Sequence, residues 1–301
     1  MRIVNLIIIS LIFQAVAFAQ SPPGLSPIRE CSAMPQYLKK IGFDPKKVSF
    51  TTSDRYRKGL LCIEMGKNSR TFQHPTWKSA GTLAPIAIDE VGNVYVGPMP
   101  IVNIYENDPF KQTILYKVDK INAEMEPYIE LPKGGIPSAH NAFGIMGLAY
   151  NCIDQFLLAT SVSGSTIKEE RGMIFCIDVK SPTPKITDTL FNIDAIGIGL
   201  AYFDGEKRVF FGKARTSEIY SIAISSEGKF IGEPRFELSL EDLGLRGDDK
   251  ARKIRCKQKD ILVIYGVEFN FNLIAPAEKQ ETIYTFMYDA VNKKWILKGI
   301  E

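Results

Sequence analysis

The sequence predicts an all-β chain, a β-propeller of four-stranded antiparallel blades, five by repeat count, preceded by an export signal. Three observations predict it. Residues 84–300 divide into four segments that can be laid over one another. Each segment holds four short runs rich in Val, Ile, Tyr and Phe, split by Gly, Asp, Asn or Pro, which is the strand-and-turn signature. The repeat of roughly 50–60 residues with four strands apiece fits propeller blades.

The first nineteen residues stand apart. Arg2 gives a positive start, Leu6 to Phe13 is apolar, and Ala17-Phe18-Ala19 places small residues where a signal peptidase reads. That layout predicts a signal peptide over 1–19, cleavage near Ala19, and a secreted or periplasmic product. A membrane anchor is the competing reading. Ser10 and Gln14 interrupt the run, which falls short of the ~20 residues a span needs, and Pro22-Pro23 cannot extend a helix. With no Cys at the cleavage point, a bacterial lipid anchor is not expected.

Residues 20–44 are weakly patterned, with one short helix expected within Ala33 to Ile41. The propeller domain is placed at 45–301. Gly59-Leu60-Leu61-Cys62-Ile63-Glu64-Met65 echoes Gly172-Met173-Ile174-Phe175-Cys176-Ile177-Asp178-Val179, so residues 45–80 read as a degenerate blade, with Arg70 to Trp77 in place of its last strand. The next four blades cover 84–132, 144–191, 197–240 and 253–300. A sixth blade would have to lie in residues 22–56. The rival β-sandwich does not account for a recurring four-strand unit.

The blade openings carry a resemblance. Gly147-Leu148-Ala149-Tyr150 and Gly199-Leu200-Ala201-Tyr202, with Val94-Tyr95-Val96 further along a blade, resemble the SMP-30/NHL-like propellers. The resemblance implies a propeller fold. For its hydrolase members it also implies a calcium site at the axis, with an Asn before the Gly that opens a blade. This chain has Met146 and Ile198 at those positions. Asn141 and Glu268 are the residues that would supply oxygens in a rearranged site, together with Asn270 and Asn272.

Composition narrows the function. Lys and Arg number 37 against 34 Asp and Glu, a balance that argues against nucleic acid, and no later run is long enough to span a membrane. Five cysteines without CxxC spacing argue against zinc. Their odd number leaves at least one unpaired in a monomer. Cys152 and Cys176, both placed near one end of the same blade, are the candidate disulfide; Cys62 and Cys256 read as buried apolar residues. There is no G-x-S-x-G, Walker or G-x-G-x-x-G sequence, and only two histidines.

Loop lengths point to one face. First-to-second strand links are tight, as at Glu90-Val91-Gly92 and Asp204-Gly205-Glu206. Asn103 to Gln112, Ser163 to Arg171, Asn270 to Glu281, Lys133 to Phe143 and Glu241 to Arg252 are long and all emerge opposite. Long links on a rigid scaffold are where binding residues concentrate. The candidate contacts are Tyr105, Glu106, Asp108, His140, Asn141, Lys168, Glu169, Arg171, Glu268 and Asn270. The expected function is a non-catalytic binding module for a protein, small-molecule or glycan ligand, with no cofactor. The alternative is a calcium-dependent hydrolase of the lactonase type. Arg246-Gly247-Asp248 reads as a chance match to an adhesion tripeptide. Lys250, Arg252, Lys253, Arg255, Lys257 and Lys259 read as charges guarding an edge strand, or else as a surface for anionic glycan or lipid.

Overall fold

A computed structural model describes residues 24–29, 31–52, 58–100, 108–136, 140–271 and 281–301. The chain enters through β1 (Leu25–Pro27) and α1 (Tyr37–Lys40), the short helix expected from the sequence. The first blade follows: β2 (Val48–Thr51), β3 (Leu61–Glu64) and β4 (Arg70–Phe72), three strands among the described residues. Helix α2 (Pro75–Ser79) closes it. Pro75 at the first helical position suits a helix start, and the His74 side chain caps the helix, its Nδ1 accepting from the Thr76 N–H at 3.4 Å.

The four repeats form four-stranded meanders. The second blade holds β5 (Leu83–Ile88), β6 (Val94–Pro98), β7 (Ile114–Val118) and β8 (Met125–Glu130). The third holds β9 (Ile145–Asn151), β10 (Phe156–Ser161), β11 (Met173–Asp178) and β12 (Lys185–Phe191). The fourth holds β13 (Ala195–Phe203), β14 (Glu206–Lys213), β15 (Glu218–Ile224) and β16 (Phe230–Ser239). The fifth holds β17 (Lys250–Gln258), β18 (Ile261–Val267), β19 (Thr282–Asp289) and β20 (Lys294–Ile300). Neighbours within each blade are antiparallel and consecutive, and the whole is a five-bladed β-propeller.

The core lies between blades, and strand alternation builds it. All six residues of β10 are buried. Leu157 and Ala159 pack towards the second blade with Tyr95 and Leu115, while Phe156 and Leu158 pack towards the fourth with Val209 and Phe211. Period-two alternation sends successive side chains to opposite interfaces, so a middle strand is buried on both faces and is apolar over Phe156–Ala159, with Thr160 and Ser161 buried at its end. Each fully buried Leu or Phe contributes roughly 1.5–3 kcal/mol. The fourth and fifth blades meet over Phe210, Ile254, Leu262, Ile264 and Phe286, and the first two over Leu60, Trp77, Val94 and Val118.

Blade openings are small because neighbouring inner strands nearly touch. A Cβ on Gly147 would lie 2.6 Å from the Ile196 carbonyl oxygen, and one on Gly199 would lie 2.3 Å from that of Ile254. That contact is the physical content of the Gly-Leu-Ala pattern.

Residues 24–29 and 31–37 run across the tight-turn face. β1 pairs with the end of β13, Leu25 opposite Phe203. The Asp204 side chain accepts from the Gly24 N–H at 3.0 Å, and that of Asp260 accepts from the Leu25 N–H at 2.8 Å. Cys31 is bonded to Cys152, Ala33 N–H donates to the Asp89 carbonyl, and Tyr37 N–H to that of Lys120. One segment thereby ties turns of the second to fifth blades together.

The Cys152–Cys176 pairing expected from the sequence is corrected here. Cys176 stands opposite Leu158, two positions inside the end of β11, and its side chain is buried between the third and fourth blades. Cys152 lies in the turn after β9 and meets Cys31, with Cα atoms 5.8 Å apart, inside the usual disulfide range. Cys62, Cys176 and Cys256 are free. Among the described residues no helix is long and apolar enough to cross a membrane. The 1–19 signal, Tyr105, Glu106 and Asn272 lie outside the described residues.

Candidate functional site

At the long-loop end the blade-to-blade links and the second-to-third links converge on an apolar plug. Val162, Ile196, Ala214 and Phe271 are buried there, with Phe143, Met146, Val267 and Phe269 packed against them. Phe143 meets Phe269 edge-on at 5.2 Å, and Phe269 meets Phe271 likewise at 5.4 Å, the offset geometry that aromatic quadrupoles favour.

Beside the plug, residues 163–171 are held by a buried carboxylate. Asp194, in the link entering β13, is fully buried. Its Oδ1 accepts from the Ser165 hydroxyl and, at 2.8 Å, from the Gly172 N–H; its Oδ2 accepts from Arg215 Nε at 2.6 Å. The rest of the Arg215 guanidinium donates to the carbonyls of Thr166, Ile167 and Glu169 and lies 5.1 Å from the Phe271 ring centre. Glu170 accepts from the Asp194 N–H and pairs with Lys213 at 3.2 Å. Burial pushes the Asp194 carboxyl above its ordinary range, against the pull of Ser165 and Arg215. Asp194, Arg215, Ser165 and Glu170 were not among the sequence candidates. The available signal for Asp194 was a charge placed next to the apolar run that opens β13.

The described sequence candidates separate into four groups. Lys168, Glu169 and Arg171 sit on this held loop and are exposed, Arg171 paired with Glu169. Arg171 also packs against Gly134 and Gly135, so the link after β8 lies on the same loop. His140, Glu268 and Asn270 are exposed on links at this end. Asn141 is different, being buried. Its amide donates to the Val162 and Ser165 carbonyls at 2.7 and 2.9 Å and accepts from the Phe143 N–H. It fastens loops, with both amide hydrogens donated and its oxygen already accepting from Phe143. Asp108 lies elsewhere, capping the turn at Pro109–Lys111 through the Phe110 N–H at 2.9 Å and lining a cavity of about 440 Å³ beside Thr76, Gln112 and Tyr116.

The residues at the resembled calcium positions do not fit a hard cation. Met146 belongs to the apolar plug and Ile198 to the core between the third and fourth blades. Asn141 is engaged in fastening loops, whereas calcium requires several oxygens gathered around it. Among the described residues no three His, Cys, Asp or Glu side chains converge. The free thiols are poor nucleophiles: burial pushes Cys62, Cys176 and Cys256 up to about 12, far from the lowered values of reactive cysteines. Arg246 of the Arg-Gly-Asp tripeptide is committed to the fold, donating to Asp249 at 3.0 Å and to Thr282 at 2.7 Å.

No family model matches the sequence, and no curated protein matches it either. Solved propellers are similar in fold. A protein from Lactobacillus plantarum superposes with a TM-score of 0.53 at 12% identity, over 86% of this chain and 69% of that one. A provisionally assigned 6-phosphogluconolactonase from Bacteroides uniformis does so with a TM-score of 0.52 at 11% identity, over 89% and 70%. Likeness at such identity establishes the propeller fold and leaves function to the site.

Proposed function

We propose that the chain is an exported propeller that binds a protein or glycan ligand through its long-loop face and catalyses nothing itself. The observation that supports this is the 163–171 loop. Asp194, Arg215 and Asn141 hold its backbone from below while Ile167, Lys168 and Glu169 stand exposed at its tip. A loop fixed before the ligand arrives loses little conformational freedom on binding. Lys168 and Glu169 offer both signs of charge, and His140, Arg171, Glu268 and Asn270 extend the polar surface around them. The Cys31–Cys152 bond suits an oxidising compartment, in keeping with an export signal.

The test has two arms on the chain from residue 20 onward. Thermal unfolding in EDTA and then in calcium, with lactone turnover followed in the same samples, is expected to show neither a rise in midpoint nor turnover. A saturable rise accompanied by turnover that Glu268→Gln abolishes would put the hydrolase first. Glycan-array and cross-linking experiments form the other arm. A ligand recovered by wild type is expected to be lost by Lys168→Ala/Glu169→Ala at unchanged thermal midpoint, and retention by that variant would move the site off this face.

A further inference from the structure

The molecule holds a second feature in its opposite half. Behind residues 27–29, 31 and 32, on the tight-turn side, lies a cavity of about 780 Å³ walled by β5, β9, β13 and β17. That volume is within the range of small-molecule sites. β5, β9 and β17 each stand at the end of their sheet, so each turns an unpaired backbone edge to this space. Such N–H and C=O groups require partners from water or a ligand.

Among the described residues, the charges lining this cavity are of one sign. Arg29 reaches it from the entering segment, and Lys253, Arg255 and Lys257 from β17. Ile254 and Cys256 pack into the core between the fourth and fifth blades, so alternation sets Lys253 and Arg255 on the other side of the strand. Lys253 lies over the Tyr265 ring at 5.2 Å. Among the described residues no Asp or Glu lines the cavity, and none forms an ion pair with these four cations. Carboxylates on the adjoining turns are engaged elsewhere: Glu90 by Tyr150 and Gln155, Asp154 by Lys207 and Asn151, Asp204 and Asp260 by the backbone of residues 24 and 25. Glu281, whose charge acts on Lys253, pairs with Arg252. Burial and the neighbouring Arg255 pull the Lys253 ammonium below its ordinary value, against the opposing pull of Glu281.

We propose that this cavity is a binding site for a small organic oxyanion, a carboxylate or phosphate whose charge is met by Arg29, Lys253, Arg255 and Lys257 and whose polar body meets the inner-strand edges. An edge-guarding role explains charges on a strand. It does not explain the matching Arg29 on a separate segment, nor why the described residues that line the cavity include cations and no carboxylate.

The experiment is calorimetric titration of the disulfide-intact protein with citrate, inorganic phosphate and glucose 6-phosphate, with glucose as the uncharged comparator. Saturable binding of at least one anion is expected, weakening with added NaCl as exposed charges are screened. Citrate alone would indicate a carboxylate ligand, and glucose 6-phosphate above phosphate a phosphorylated organic body. Arg255→Gln/Lys257→Gln should weaken the interaction by about tenfold or more, because truncating a paired charge acts on dissociation. Should that variant aggregate through its bared edge, Arg29→Gln reads the same site from the other wall. Failure of all three anions to bind at millimolar concentration, glucose binding as tightly as its phosphate, or affinity unchanged in the variants would overturn the assignment.

Discussion

Arg215 and Asp194 form the joint on which the long-loop face turns: Nε meets Oδ2 at 2.6 Å, with the carboxylate fully buried and the Arg215 side chain 21% exposed. Neither group reaches solvent as an independent charge. Through the remaining guanidinium nitrogens the pair fixes the carbonyls of 166, 167 and 169, so the shape of the exposed loop depends on residues from another blade.

Arg215→Ala should therefore act beyond its own side chain. It leaves Asp194 buried without its cation, a defect that costs about 3–5 kcal/mol when fully buried and somewhat less at a partly exposed Arg. Amide exchange should accelerate across 165–171 while β10 and β11 stay protected. Arg215→Lys keeps the charge but loses the fork and should recover part of the loss. A change in unfolding free energy below about 0.5 kcal/mol would mean that the loop holds itself.

The Cys31–Cys152 bond closes a loop of 121 residues. Chain-entropy arguments put the stabilisation from so long a loop at about 4–5 kcal/mol, with measured cases mostly at 2–5. Cys31→Ser/Cys152→Ser should lower the thermal midpoint, and reductant should lower the wild-type midpoint while leaving the variant's unmoved. Equal sensitivity to reductant in both would place the effect at another cysteine.

How much was legible follows from the range of the contacts. Blades could be read because strand burial is written in local sequence, as a continuous apolar run in β10 and as alternation at the start of β15, and each turn in a local Gly, Asp or Asn. The 24–37 segment was not legible, because its partners at Asp89, Cys152, Asp204 and Asp260 are supplied by four separate turns and leave no period in the chain. Asn141 was visible as a polar residue in a long link, but only coordinates reveal that its amide is occupied by Val162 and Ser165. The lone Asp194 is the reverse case: its weight comes from burial, which the residue type argues against.

Gly199 gives a sharper test of why blades open on small residues. A Cβ there would meet the Ile254 carbonyl at 2.3 Å, a backbone atom that cannot rotate away. Gly199→Ala should cost about 1–3 kcal/mol or more in denaturant unfolding, as overpacking does. Gly299→Ala is the control, since a Cβ on that glycine of β20 meets nothing within 4 Å. It should be neutral or slightly stabilising through the unfolded chain. Similar losses at both positions would refute the close-approach account.

Asp249 carries the expected acid sensitivity. It is fully buried; burial alone would raise its carboxyl, but hydrogen bonds from Arg246, Tyr284 and Thr282 outweigh that and hold it below the ordinary value. A carboxylate lowered in the folded state binds its proton first in the unfolded chain, so stability from it is complete above the unfolded value of about 3.9. It is lost as pH falls from there through the folded value. Unfolding free energy measured from pH 7 to pH 3 should fall steeply below about pH 4 in wild type and less steeply in Asp249→Asn, which starts lower because Arg246 has lost its counterion. Asp194, raised rather than lowered, has the opposite sign: it protonates first in the folded state, and its contribution grows as pH falls. Parallel pH profiles for wild type and Asp249→Asn would assign the acid limb to other carboxylates.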